Sequence, residues 1–370
     1  MTGTVSRRAP GKLFVAGEYA VLEPGHPALL VAVDRHVTVT VSPTGDTGVR
    51  VESDLCPGPT RLRRRDGGLE GVEVGDQKRA RDSLGHVVSA IEVVDALLTE
   101  RGQSPPAMHV SISSRLHRDG TKFGLGSSGA VTVATVAAVA AYAGLGLTPE
   151  ERFRLAMLAA VRRDAGGSGG DLAASAWGGW IAYQAPDRAA VREMARRDGV
   201  GRTLRARWPG FGVRTLRPPR ALALEVGWTG DPAHTSVLAG RLDARAWRGG
   251  TAHRRFLERS GARVRAAIRA LDEGDDDGLL RQVRGARQVL ADLDDEVGLG
   301  IFTTRLTALC DAAEAVGGAA KPSGAGGGDC GIALLDPAAT KDIARLRETW
   351  AAAGVLPVPV RVQPTNGSEA

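Results

Sequence analysis

The stretch KFGLGSSGA at 122–130 decides the fold: Gly124 and Gly126 stand before a Ser-Ser pair, and a long apolar run follows. Glycine lets a backbone approach an anion closely and takes left-handed conformations without a side-chain clash. The first N–H groups of a helix have no partners within it, so a phosphate placed there supplies the missing acceptors. The run GAVTVATVAAVAAYAGLG reads as that helix, with Gly144 and Gly146 as its stop. Ser127 or Ser128 is placed to cap it, and a hydroxyl there can also reach a phosphate-bound metal. A nucleotide is therefore the first candidate ligand.

Read literally, Gly124-Leu-Gly126-Ser-Ser-Gly129 also satisfies the G-x-G-x-x-G dinucleotide fingerprint. That fingerprint follows a strand directly, whereas RLHRDGTKF separates this loop from the strand-like MHVSISS at 108–114. Glu150 and Glu151 stand about 20 residues on, but TPEE reads as a cap and a first helical turn. No Gly-Lys-Ser/Thr follows the glycines, so the Walker pattern is absent.

Three other stretches share the style of the first. KPSGAGGGDCGIALL at 321–335 sets five glycines within eight residues before an apolar run, a loss of backbone entropy that close approach to a bulky anion would justify. AGGSGGDLAASAWGGW at 165–180 carries one acid, Asp171, between glycines and a small-residue helical segment. APGKLFVAGEYAVL at 9–22 puts Lys12 at the start of a strand and Glu18 past its end. Only five of the 48 basic residues are lysine, and Lys12, Lys122 and Lys321 fall in these glycine-flanked segments. A compact ammonium with rotatable donors suits a phosphate.

Together these four ordered stretches resemble the successive motifs of the GHMP kinase superfamily, whose members include galactokinases, homoserine kinases, mevalonate kinases and phosphomevalonate kinases. The resemblance covers nearly the whole chain. The wording of GEYAVLEPGHPAL, ALALEVGWTGDPAHTS at 221–236 and KPSGAGGGDCG is most similar to the phosphomevalonate branch. It implies an α+β fold of two domains, one like domain 2 of ribosomal protein S5 and one a ferredoxin-like α/β sandwich. We divide them into 1–190 and 191–370, because polarity rises and periodicity weakens between Ala185 and Phe211.

By motif position, Lys12 and Asp171 match the superfamily's catalytic lysine and aspartate. Lys122, Gly124, Leu125, Gly126, Ser127, Ser128, Gly324, Gly326 and Gly327 match the surroundings of ATP, and Ser128 matches a serine that coordinates Mg2+. Glu18, Tyr19, Ser168, Lys321, Lys78 and Arg305 are assigned to the acceptor side, with Glu18 as an acid that holds the site together. Arg79 and Arg81 join Lys78 and Arg305 as candidates for gripping an acceptor phosphate. Mevalonate kinases carry a metal-binding glutamate about eleven residues before the catalytic aspartate; Ala160 stands there, which leaves Asp164 as the nearest acid. The implied reaction is transfer from ATP to phosphomevalonate, with mevalonate or homoserine kinase activity, a related decarboxylase or a non-catalytic nucleotide- or sugar-binding regulator as alternatives.

Composition narrows the classes. With 370 residues, two cores are expected. The net charge of +6 invites nucleic acid, yet aromatics make up 4% and no basic stripe alternates with stacking residues. Three cysteines without metal-ligand spacing fit reduced thiols in a cytoplasm. MTGTVSRRAPGK lacks the apolar core of a signal peptide, and residues 129–147 read as a buried helix rather than a membrane span. A monomer or homodimer acting on a small molecule, with no nucleic acid and no membrane, is expected. Elsewhere 31–43 alternates as a strand, 55–82 has no clear period and reads as an exposed hairpin or loop, 84–101 and 150–163 read as helices, and VLPVPVRV reads as a closing strand.

Overall fold

A computed structural model describes residues 3–118, 120–163, 166–232 and 247–366. The strands of its larger sheet are β1 (Val5–Ala16), β2 (Pro27–Ser42), β3 (Val49–Ser53), β4 (Cys56–Arg65), β5 (Gly68–Gly71), β6 (Met108–Ser114), β9 (Trp180–Gln184) and β10 (Gly212–Leu216). Their order is β10-β9-β2-β6-β3-β4-β5, with β1 paired antiparallel to β2 and β3 parallel to β6. Two short strands, β7 (His117–Arg118) and β8 (Thr121–Lys122), form a separate hairpin that leads into the glycine loop.

Helix α3 (Ser127–Tyr142) is the apolar run that follows the glycines. It packs on β1 and β2, with α2 (Gly85–Glu100), α4 (Pro149–Arg163) and α5 (Gly170–Trp177) around it, so nearly every face is buried. That explains a helix without a polar stripe: it is enclosed by protein and spans no lipid. No helix among the described residues is long and apolar enough to cross a membrane.

One segment meets its expectation in part and another differs. Residues 55–82 contain the expected hairpin, β4 paired antiparallel with β5, followed by α1 (Val74–Asp82), a helix that was not expected. Only Thr60 and Leu62 of β4 alternate inward behind outward arginines, so the period-2 signal was thin. Residues 188–205 form α6 (Arg188–Arg205), broken at Gly199 with φ 80°. The Glu100 carboxylate accepts the N–H groups of Val200 at 2.7 Å and Gly201 at 2.6 Å, restarting the helix there. That break blurred the helical period.

The smaller sheet comprises β11 (Ala223–Trp228), β12 (Ala319–Pro322), β13 (Cys330–Leu335) and β14 (Leu356–Pro357), ordered β12-β13-β11-β14. In chain order this is 2-3-1-4 with antiparallel pairs, the ferredoxin-like arrangement. Helices α9 (Thr304–Glu314) and α10 (Thr340–Ala352) join its core, where the Trp350 ring donates from Nε1 to the Leu309 carbonyl at 3.0 Å. Between the sheets lie α7 (Thr251–Glu273) and α8 (Asp276–Val297), which touch β1 and, through α8, β12.

Because β10 belongs to the larger sheet and β11 opens the smaller one, we propose that the units divide between Leu216 and Ala223 rather than at 190. The tail crosses back: Val362 bridges Val33, and the Gln363 N–H donates to the Ala32 carbonyl at 2.9 Å. The closing strand is shorter than its sequence suggests, since Pro357 and Pro359 have no N–H to give a ladder.

An aromatic knot holds α4 to the end of the larger sheet. Phe153 is buried, stacks on Phe211 at 4.9 Å between centroids, and meets Trp177, Tyr183 and Trp208. Phe153→Ala is expected to lower the free energy of unfolding by about 3–5 kcal/mol. A lower urea midpoint at unchanged m-value would report it; an unchanged midpoint would show that the knot closes over the gap.

Candidate active site

Lys12 lies on β1 and is 7% exposed. Its N–H donates to the Leu125 carbonyl at 2.8 Å and its ammonium to the Gly124 carbonyl at 3.3 Å, so strand and glycine loop are tied twice. The Phe14 ring, 5.4 Å from Nζ, adds a cation–π contact. Asp171 stands in the first turn of α5, where Oδ1 accepts the Leu172 N–H at 3.0 Å and Oδ2 faces the Ser128 hydroxyl at 3.5 Å.

Gly126 brings these groups together. A Cβ there would stand 3.0 Å from Lys12 Cγ and Cε and 3.2 Å from Asp171 Cβ. At Gly129 it would meet the Asp171 carboxylate at 2.6 Å. Gly126 also needs φ 74° to start α3, so bare backbone serves both the turn and the approach.

The second glycine loop closes the other side. Gly324 has φ 93°, and a Cβ on it would point at Lys12 Nζ, 3.9 Å away, which puts bare backbone in front of the ammonium. The Phe14 N–H donates to Ser323 Oγ at 2.8 Å, Cys330 Sγ lies 2.9 Å from the Phe123 carbonyl, and the Phe123 and Trp228 rings meet edge to face. Gly124 packs on Asp329, and Gly327 donates to the Ile301 carbonyl at 2.9 Å. Both loops therefore face one space, with Lys12 between them.

Other expected site residues fall elsewhere. Lys321 is 0% exposed and ion-paired with Glu18, itself 3% exposed; no surface of that lysine remains for a substrate. The pair bolts the end of β1 to β12, and Glu18 also accepts the Gly324 N–H at 3.4 Å. Tyr19 is 8% exposed, sits among Phe256, Val289 and Leu293, and donates to the Ala325 carbonyl. Burial, then Asp294 and Glu18, raise its pKa, so the phenol stays protonated. Leu125 packs in the core and offers only its backbone.

Ser168 stays close to Asp171: its Oγ accepts the Gly170 N–H at 3.2 Å, and the Tyr183 hydroxyl holds its carbonyl at 2.6 Å. Arg305 is occupied by the Thr229 carbonyl at 2.8 Å and Asp231 at 2.7 Å. Arg79 pairs with Asp76 and Thr60, and Arg81 with Asp82, so structural partners hold both. Lys78 is exposed on α1 and Lys122 exposed on β8. Asp164 lies outside the described residues.

Sequence reasoning did not single out Arg163 or His86. Arg163 ends α4 with its Nη1 1.5 Å from where a Cβ on Gly85 would stand, and His86 follows at the start of α2. The missing signal was local: nothing in their own segments resembles a motif.

Removing one member of the Glu18–Lys321 pair leaves a buried charge alone. Lys321→Met is expected to destabilise by about 3–5 kcal/mol, and Glu18→Gln with Lys321→Met by less. Denaturant titration of both variants checks this; equal losses would mean that the second charge bears no penalty.

The geometry has counterparts among known proteins. The family models for the GHMP kinases N terminal domain and the GHMP kinases C terminal match residues 86–179 and 267–352. The chain is 64% identical over 361 residues to a phosphomevalonate kinase of Streptomyces sp. (strain CL190), covering 96% of each. A mevalonate kinase of Pyrococcus horikoshii is 28% identical over 367 residues, covering 98% of this chain and 96% of its own length. Among solved structures, Streptococcus pneumoniae phosphomevalonate kinase in complex with phosphomevalonate and AMPPNP superposes with a TM-score of 0.83 at 28% identity, covering 97% and 99% of the two chains. The Lin0012 protein of Listeria innocua gives 0.88 at 30%, with both chains covered in full. A glycine turn bearing on Lys12 and Asp171, a second glycine loop opposite, and a relative this similar along nearly its whole length establish that the chain belongs to the GHMP kinase family.

Proposed function

We propose that this chain transfers the γ-phosphoryl group of ATP to the phosphate of 5-phosphomevalonate, yielding 5-diphosphomevalonate and ADP, in the cytosol. The convergence of Lys12 and Asp171 on the bare backbone of Gly126, at the N-terminus of α3, carries the reading. The 64% identity to a phosphomevalonate kinase supports the choice of acceptor.

Phosphoryl transfer asks the protein mainly to position partners and offset charge on oxygens. The N–H groups that open α3 receive the nucleotide's phosphates, with Gly324, Gly326 and Gly327 closing from the second unit. Lys12 stands where the transferred group passes between donor and acceptor. Its ammonium is held by the Gly124 carbonyl and shielded by Phe14, so the cation is in place before substrate arrives.

Mg2+ fits as a guest of the nucleotide. The Ser128 hydroxyl and Asp171 carboxylate face each other at 3.5 Å and offer the oxygen donors a hard cation requires. Among the described residues no group of three or more His, Cys, Asp or Glu side chains forms a metal cage. Bound there through phosphate oxygens and water, Mg2+ would neutralise charge on the β- and γ-phosphates.

A phosphate monoester has a second pKa of about 6 and is largely ionised at neutral pH, so the acceptor oxygen needs no base. Asp171 then orients the lysine and the metal.

Phosphorus NMR of the protein with ATP, magnesium and phosphomevalonate is expected to show a new diphosphate ester alongside ADP. Turnover of mevalonate in place of phosphomevalonate would overturn the assignment. Lys12→Ala should lower kcat by about 10²–10³-fold, and Asp171→Asn by less; the opposite ranking in steady-state kinetics would make Asp171 a base. Gly126→Ala pushes on both side chains and is expected to lose about 10²-fold in kcat while the fold persists.

A further inference from the structure

Past the smaller sheet the chain returns and lies across the two elements that serve Lys12 and Asp171. On one side, the Gln363 N–H donates to the Ala32 carbonyl at 2.9 Å, and Ala32 is the cross-strand partner of Lys12 in the β1–β2 ladder. Arg361 is tied to the same strand: its N–H donates to the Asp34 carboxylate at 2.7 Å, and its carbonyl accepts the Asp34 N–H at 2.9 Å. On the other side, Asn366 reaches the end of α5, the helix that Asp171 opens. Its N–H donates to the Trp177 carbonyl at 2.7 Å and its Nδ2 to the Ala176 carbonyl at 3.0 Å.

A helix leaves its last four carbonyls without partners inside it. In α5 the Gly178 N–H takes one of them, Ala174, and Asn366 takes two more. With eight residues, α5 is too short to be stable by itself, and what holds its ends decides where it points. At a rise of about 1.5 Å per residue, Ala176 lies roughly 7–8 Å along the axis from Asp171.

The seat of the tail is shaped for it. Gly178 and Gly179 follow α5 with φ 68° and 62°, the left-handed region that glycine enters freely. A Cβ on the first would stand 2.4 Å from the Pro364 carbonyl oxygen, and on the second 2.5 Å from Thr365 Oγ1. The Gly179 N–H donates to the Gln363 carbonyl at 2.8 Å while its own carbonyl accepts the Ala32 N–H at 2.9 Å, so turn, tail and β2 interlock.

We propose that residues 361–366 are a strap that sets the spacing of Lys12 and Asp171, with Asn366 as a positioning residue that holds α5 by its far end. The strap itself lies behind the site. The Ser175 hydroxyl, donating to the Pro10 carbonyl at 2.7 Å, ties α5 to β1 at one point, and Asn366 adds two bonds at the terminus. Loosening the last turn lets the first one tilt. The Asp171 carboxylate then leaves its place opposite the Ser128 hydroxyl and beside Gly126 and Gly129.

The strap matters to catalysis only through the part that the proposed function gives Asp171, and the experiment keeps the two apart. Asn366→Asp has the same shape, yet a carboxylate has no donor for the Ala176 carbonyl. Its kcat is expected to fall about 5- to 20-fold, with KM for ATP and for phosphomevalonate within about twofold of wild type. Asn366→Ala, which removes the donor without adding charge, should behave alike. In both variants the amides of 170–177 should exchange with deuterium faster while those of α3 keep their rates. In an Asp171→Asn background, Asn366→Asp should cost less than about twofold more, because the strap has no carboxylate left to place. Unchanged exchange in α5 overturns the proposal, and so does a full further loss in the Asp171→Asn background, which would make the tail a general stabiliser. Should Asp171→Asn turn over like wild type, the role given to Asp171 fails, and the exchange rates alone decide whether the strap holds α5.

Discussion

Everything at the centre of this molecule depends on two glycines whose missing side chains leave room for a lysine and an aspartate. Lys12 and Asp171 reach the same space because Gly126 and Gly129 present bare Cα atoms to them, and Gly126 adopts a left-handed conformation that opens α3 at that point. A methyl group at either position would have to displace one of the two charged side chains. The helix N-terminus, the ammonium and the carboxylate are thus one arrangement, built around space left empty by the sequence.

That arrangement is completed from the other unit. The Phe14 N–H meets Ser323, Tyr19 meets Ala325, and Glu18 meets Lys321, so β1 and the residues after it receive three anchors from the second glycine segment. All three are at least nine-tenths buried on the β1 side. Burial makes such contacts sensitive to geometry, because a polar group shut away from water has no alternative partner. Lys12 and Gly324 keep their relation for this reason.

Much of this was readable from residue order. The glycine loops, Lys12, Asp171 and the Ala-rich helix announced themselves through spacing and residue type. Glu18 and Lys321 were visible as site-like residues, yet only three-dimensional contact reveals that they neutralise each other. Tyr19 carries the same ambiguity, since a phenol near a site and a phenol in a core have the same letter. The packing of Arg163 on Gly85 was silent because it joins α4 to the start of α2, a contact between residues far apart in sequence. The division we propose lies after the weakened period at 185–211 for a local reason: Gly199 interrupts α6, and Glu100, a hundred residues away, repairs it.

The returning tail bears on how the two units can move. The polypeptide passes from the larger sheet to the smaller between Leu216 and Ala223, and passes back between Pro357 and Val362. A body held by two separate strings of chain cannot swivel freely, as one on a single tether could; it turns most easily about the line joining its two attachments. Added to the buried anchors on β1, the two crossings leave the second unit little freedom to turn, and Gly324 is held in front of Lys12.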